Sequence, residues 1–146
     1  MPEEIKIREL RKSDAFSIAE LSVQLGYQID ESLIKKQIIS INSNKDHFAF
    51  VAVLNTIVIG YIHGFISIRL TSSPFLEVGG LIVSEKYRRN RIASTLVRHL
   101  ENHVNDYKTI RVRCNVKRKS AHKFYLNQNF IEKKEQKIFE RTSDKP

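Results

Sequence analysis

Apolar positions along the chain follow two rhythms, and each change of rhythm marks a new element. Ile5, Ile7 and Leu10 form a short first strand. A helix follows, with Ser13 as its expected N-cap, Leu25 as its end and Gly26 as its stop. Asp30 is placed to cap a second helix, in which Ile34, Ile38 and Ile41 share one face at helical spacing. Residues 47–54 (HFAFVAVL) are apolar on both faces and too short for a buried helix, so they predict a central strand. Asn55-Thr56 turns this strand into an Ile-rich partner at residues 57–70, completing an antiparallel hairpin. Residues 76–83 (LEVGGLIV) predict a fourth strand, and Gly79-Gly80 suggests a bulge or a close approach within it. Beyond a turn at residues 84–91, Ile92, Leu96, Leu100 and Val104 line one face of a helix. Residues 109–116 alternate, with Ile110, Val112, Cys114 and Val116 on one side and Arg111, Arg113 and Asn115 on the other. A short helix at residues 120–127 follows, then Asn129 as a left-handed stop, then two last strands around Ile131 and Ile138-Phe139. The resulting order, β-α-α-β-β-β-α-β-α-β-β, is an α/β arrangement of about seven strands in a mixed sheet covered by helices.

At 146 residues, with no repeat, low-complexity tract or linker, the chain is expected to form a single domain over residues 1–146. Only residues 142–146 look loose. One cysteine, Cys114, leaves no internal disulfide and fits a reducing, cytoplasmic setting. The acidic start MPEEIKIREL is not that of a signal peptide, and nothing approaches the run of about 18 apolar residues that spans a membrane. No His, Cys, Asp and Glu fall at metal-ligand spacing, so no metal is expected. The net charge of +9 changes the picture, because it calls for an anionic partner: nucleic acid, a membrane surface or a polyphosphate ligand.

The positions of the charges separate these. Lys86, Arg88, Arg89 and Arg91 crowd the turn YRRNRIAS just ahead of a helix. The first turn of a helix leaves about four N–H groups without partners and carries about half a positive charge, so it takes up phosphate. A second basic cluster lies at residues 117–123. The aromatic residues of the central strands look interior and offer no stacking platform for bases, which disfavours a nucleic-acid-binding module.

The run LEVGGLIV-SEKYRRNRIASTLV resembles the acyl-CoA-binding motif of the GNAT acetyltransferases, Arg/Gln-x-x-Gly-x-Gly/Ala. Arg88 and Ala93 match that pattern, whereas Arg91 replaces its first glycine. A second stretch, Asn115 followed by Ala121-His122-Lys123-Phe124-Tyr125 and Asn129-Phe130, is similar to the family's Asn…Ala-x-x-x-Tyr…Gly-Phe segment, with Asn129 in the place of glycine. The likeness runs from about residue 5 to residue 141. It implies a GNAT-like, mostly antiparallel twisted sheet splayed between its fourth and fifth strands, with acetyl-CoA as co-substrate.

By the same resemblance, backbone groups of Leu81, Ile82 and Val83 pair with the pantetheine amides, as one strand edge pairs with another. The N–H groups of Arg89, Asn90, Arg91, Ile92, Ala93 and Ser94, with Arg88, hold the pyrophosphate. Asn115 bonds near the thioester, and Lys123 or a neighbouring basic residue meets the 3′-phosphate. Tyr125 takes the position of the acid that protonates the departing thiolate, and Glu77 that of a base for the attacking amine, a role that ordered water fills in other members. The expected activity is acetyl-CoA-dependent N-acetyl transfer to a primary amine. Arg91 in the glycine slot motivates the alternative of a CoA-binding protein with weak or lost catalysis. His122 is expected at the surface, His63 in core or cleft, and Cys114 as a small buried hydrophobe. Dimerisation through the last strands is common in the family, but nothing here specifies it. The acceptor has no readable motif.

Overall fold

The computed structural model describes residues 4–88 and 90–146. The chain divides into two compact units, residues 1–113 and 114–146. The first holds β1 (Lys6–Glu9), α1 (Ala15–Val23), α2 (Glu31–Asn42), β2 (His47–Leu54), β3 (Ile57–Arg69), β4 (Ser72–Val83), α3 (Ile92–His103) and β5 (Ile110–Val112). The second holds α4 (Lys119–Asn127). No helix among the described residues is long and apolar enough to cross a membrane.

The five strands of the first unit pair in sequence order; β1 to β4 are antiparallel and β5 joins β4 in parallel, which gives the expected mixed sheet. The hairpin between β2 and β3 turns on Asn55 and Thr56, with φ of 48° and 69°, the left-handed pair that matches strand twist. Period-2 alternation then sorts the sheet into two faces. Phe50, Ile62 and Leu76 face α3 and are fully buried with Leu96 and Leu100. Gly64 is what lets α3 come so close, since a Cβ there would lie 2.7 Å from Leu100 Cδ2. On the other face Ala49, Val51 and Ile82 pack with Ile18 and Leu21 of α1 and with Ile34 and Ile38 of α2. Burying the Val, Leu and Ile side chains among these stabilises the layer by roughly 1.5–3 kcal/mol each.

The Asp30 carboxylate accepts from Ser32 N–H at 2.9 Å and caps α2 as expected. At α1 the expectation is corrected. Asp14, rather than Ser13, is the N-cap, and the helix ends at Val23. The Asp14 carboxylate is spent on Arg8, at 2.8 and 2.9 Å, and on Arg11 N–H, which pins β1 to the helix start.

Among the described residues the sheet has five strands, not seven. Residues 128–146 form no helix or strand, and Ile131, Ile138 and Phe139 are 85%, 91% and 90% exposed. The reason lies between them: EKKEQK, residues 132–137, offers no alternate apolar positions to seat on a core. β5 is likewise three residues long, not eight. Beyond it the Asn115 side chain accepts from Lys117 N–H at 2.9 Å, a local turn that competes with a strand ladder. Cys114 is consequently only half-buried and Val116 is exposed. In the second unit, Asn129 takes φ of 68° and Phe130 N–H reaches back to Tyr125 C=O at 3.0 Å, closing α4 with a left-handed stop.

Candidate active site

The site starts from an irregularity in β4. His63 pairs with Gly80 while Gly64 pairs with Val78, so Gly79 is the extra residue of a bulge. Its missing side chain is required there: a Cβ on Gly79 would stand 3.0 Å from His63 Nδ1 and 3.2 Å from Phe65 Cε1. Past the bulge β4 continues to Val83, whereas its ladder with β5 stops at Val78. No other strand among the described residues covers that edge. Ser84 N–H donates to Ile59 C=O at 2.8 Å. In the alternating antiparallel ladder, Ile82 therefore bonds β3, and Leu81 and Val83 direct their backbone groups outwards. Val83 C=O is met by Arg88 Nε at 3.2 Å, which ties the basic turn to the end of the strand.

The turn ends at Arg91, the N-cap of α3. The first bond within the helix is Thr95 N–H to Arg91 C=O at 3.0 Å. The amides of Ile92, Ala93 and Ser94 precede it, and Arg91 offers them no side-chain cap. The nearby hydroxyls do not serve them, because Ser94 Oγ and Thr95 Oγ1 both donate to Arg91 C=O, at 3.0 and 2.7 Å. Lys86, Arg88, Asn90 and Arg91, in the turn before this helix, are exposed, and Arg89 lies outside the described residues. Uncapped N–H groups, the positive end of the dipole and cations in the preceding turn are the chemistry that suits an anion.

Arg91 has φ of 62° and ψ of 15°, the left-handed conformation that a glycine adopts without strain. An L side chain there costs roughly 1–2 kcal/mol. The Arg91→Gly variant is therefore expected to be more stable by about 1 kcal/mol, read as a rise in Tm of roughly 2–4 °C. An unchanged or lower Tm would mean that the arginine makes up the strain through contacts in the free protein.

Glu77 lies opposite Phe65 and Arg111, on the bulge face of the sheet. Its carboxylate is 13% exposed, not solvated at an edge, and Oε1 stands 3.5 Å from Arg113 Nε. That oxygen is buried without a hydrogen-bond partner, although an acceptor so placed normally has one. Nearby, His63 Nε2 and His47 Nδ1 are 2.9 Å apart; the His47 ring stacks on Phe65, and the His63 ring lies tilted to it at 34°. Burial, with the neighbouring His47, pushes the His63 pKa down to about 4, so the ring is neutral near pH 7. Arg113 and His47 were not singled out from the sequence. The alternation placing Arg111 and Arg113 on one face was the available signal, but the register that sets Arg113 near Glu77 was not.

In the second unit, Tyr125 packs edge-on against Phe124 and Phe130, with ring centroids 5.1 and 5.5 Å away. Its pKa is pushed up to about 12, first by burial and then by Cys114, against a lowering by Arg118, so the phenol keeps its proton at any ordinary pH. His122, half-buried on α4, donates from Nε2 to Asn115 C=O at 2.9 Å. Asn115 lies after β5 in the turn described above, not on a strand. Lys123 is exposed on α4.

The family model described as the acetyltransferase (GNAT) family matches residues 7–130. The chain belongs to that family. As a GNAT acetyltransferase, and so an acyltransferase, it shares its fold with solved structures of low sequence identity. The aminoglycoside N-acetyltransferase AAC(6')-Iy, in complex with the bisubstrate analogue CoA-S-monomethyl-acetylneamine, aligns at TM-score 0.80 and 18% identity, over 96% of this chain and 99% of that one. The aminoglycoside 6'-N-acetyltransferase AAC(6')-Ih of Acinetobacter baumannii aligns at TM-score 0.83 and 17% identity, over 96% and 99%. A glucosamine-6-phosphate N-acetyltransferase of Arabidopsis thaliana aligns at 0.78 and 21%, over 94% and 99%. No curated protein matches the chain.

Proposed function

We propose that the chain transfers an acetyl group from acetyl-CoA to a primary amine by direct attack. The observation that carries this reading is the uncapped head of α3, which follows directly on the outward backbone groups of Leu81 and Val83. A strand edge that pairs with amides and a helix end that takes phosphate are the two chemistries that pantetheine pyrophosphate presents. The CoA moiety in the ligand of the structurally similar AAC(6')-Iy supports the same co-substrate. Arg91 holds a left-handed backbone that a glycine adopts without strain, which supports reading the departure from the motif as one that leaves the turn intact.

The amine nitrogen attacks the acetyl carbonyl, forming a C–N bond as the C–S bond breaks. Glu77, whose buried Oε1 lacks a hydrogen-bond partner, accepts the amine proton directly or through water. Tyr125, held protonated by burial, supplies a proton to the departing sulfur. Asn115 and Lys123 are assigned to the thioester end and the 3′-phosphate by the family pattern. The test is thiol release from acetyl-CoA. Release is expected only when amine and protein are both present; saturable CoA binding with no release from any amine would contradict transfer.

A further inference from the structure

The face of the sheet that carries the bulge also carries a cavity of about 180 Å³ between α1, α2 and the strands. Ile18, Ile34, Ile38 and Ala49 line it, together with Gly79 and Gly80 of the bulged strand. None of the described residues lining it is Asp, Glu, Lys or Arg. Its polar groups are mild. Tyr61 OH is occupied with Ser22 Oγ at 3.4 Å, Gln37 is uncharged, and the His63 ring is neutral near pH 7.

We propose that this cavity holds the body of the acceptor, and that the acceptor is a primary monoamine on a small apolar group, an aryl ring or a branched alkyl chain. The assignment rests on the transferase reading. An apolar cavity of about 150 Å³ holds a benzene ring, so the volume suits one such group. A polycationic amino sugar would bury ammonium groups there with no countercharge, at a cost of several kcal/mol each. One amine at the end of an apolar body avoids that cost. Glu77 lies two residues along β4 from Gly79 and opposite Phe65, the ring beside the Gly79 gap, so an amine leaving the cavity over the bulge meets a carboxylate oxygen that is ion-paired with Arg113 but lacks a hydrogen-bond partner. Apolar walls also disfavour the ammonium form, which helps to deliver the neutral amine that the attack needs.

The test is a panel of acceptors read by thiol release, with CoA affinity measured alongside by calorimetry. Ethylamine, isobutylamine, isoamylamine and phenethylamine are set against kanamycin and glucosamine. The expected result is a kcat/KM that rises roughly fourfold per added methylene until the cavity is full, with the apolar amines at least about tenfold above both sugars. Ala49→Leu narrows the cavity and is expected to raise the KM for phenethylamine by roughly tenfold with CoA affinity unchanged. Gly80→Ala, whose new Cβ would meet Tyr61 Cε1 at an ordinary 3.5 Å, gives a second, smaller narrowing if the first variant folds poorly. Sugars outrunning the apolar amines, or narrowing variants that leave KM untouched, would overturn the assignment while leaving the transferase reading standing. Intact CoA binding with no thiol release from any amine would remove that reading, and the assignment with it.

Discussion

Replacing Tyr125 with phenylalanine is expected to lower kcat by roughly 10²–10⁴-fold while leaving CoA affinity within a factor of about two. The change removes one oxygen and keeps the ring, so the edge contacts with Phe124 and Phe130 survive and α4 keeps its packing. What is lost is a proton donor. With its pKa pushed up to about 12 by burial, the phenol is a poor source of protons for bulk water, but it is protonated in every molecule when sulfur begins to carry charge. The basic limb of the pH–rate profile of the wild type should therefore not report tyrosine ionisation below about pH 10. A Tyr125→Phe enzyme with unchanged kcat would place the proton source elsewhere and reduce Tyr125 to a packing residue.

The Arg88→Glu variant is expected to weaken CoA binding by roughly 10- to 100-fold, the range set by losing one charge-assisted hydrogen bond of about 1.5–3 kcal/mol. Two effects add. A guanidinium beside the α3 head is replaced by a carboxylate that repels phosphate, and Val83 C=O loses the Nε donor that fixes the turn. Arg88 is exposed and its pairing with Glu85, at 4.0 Å, is loose, so fold stability should change by less than about 1 kcal/mol. Calorimetry with CoA reads the first quantity and thermal unfolding the second. Equal affinity in wild type and variant would detach the basic turn from the ligand.

Elements fixed by local chemistry were legible in the sequence. The run HFAFVAVL bounded by Asn55-Thr56 marked β2 to the residue, because a doubly apolar run ended by a turn admits few other readings. Asp30 as a cap and Asn129 as a left-handed stop were legible for the same reason, since each needs only its neighbours; Gly79-Gly80 marked a bulge or a close approach, and the pairing with β3 shows the bulge at Gly79. Features that depend on distant partners were not. The alternation at residues 109–116 continues past the point where Asn115 turns the chain, and the isolated apolar residues Ile131 and Ile138-Phe139 suggest strands that the polar run between them does not support. Glu77 was legible as a candidate base, but its burial and its ion pair with Arg113 depend on the parallel register of β4 and β5. The cavity over Ala49 could not be read at all, since its walls come from two helices and three strands.

The most direct test of the central claim follows the backbone amides at the head of α3 by ¹H–¹⁵N NMR during a titration with CoA. The amides of Ile92, Ala93 and Ser94 should show the largest shifts in the chain and saturate with the bulk binding curve. Saturable binding of CoA that leaves those three amides where they are in the free protein would contradict the account.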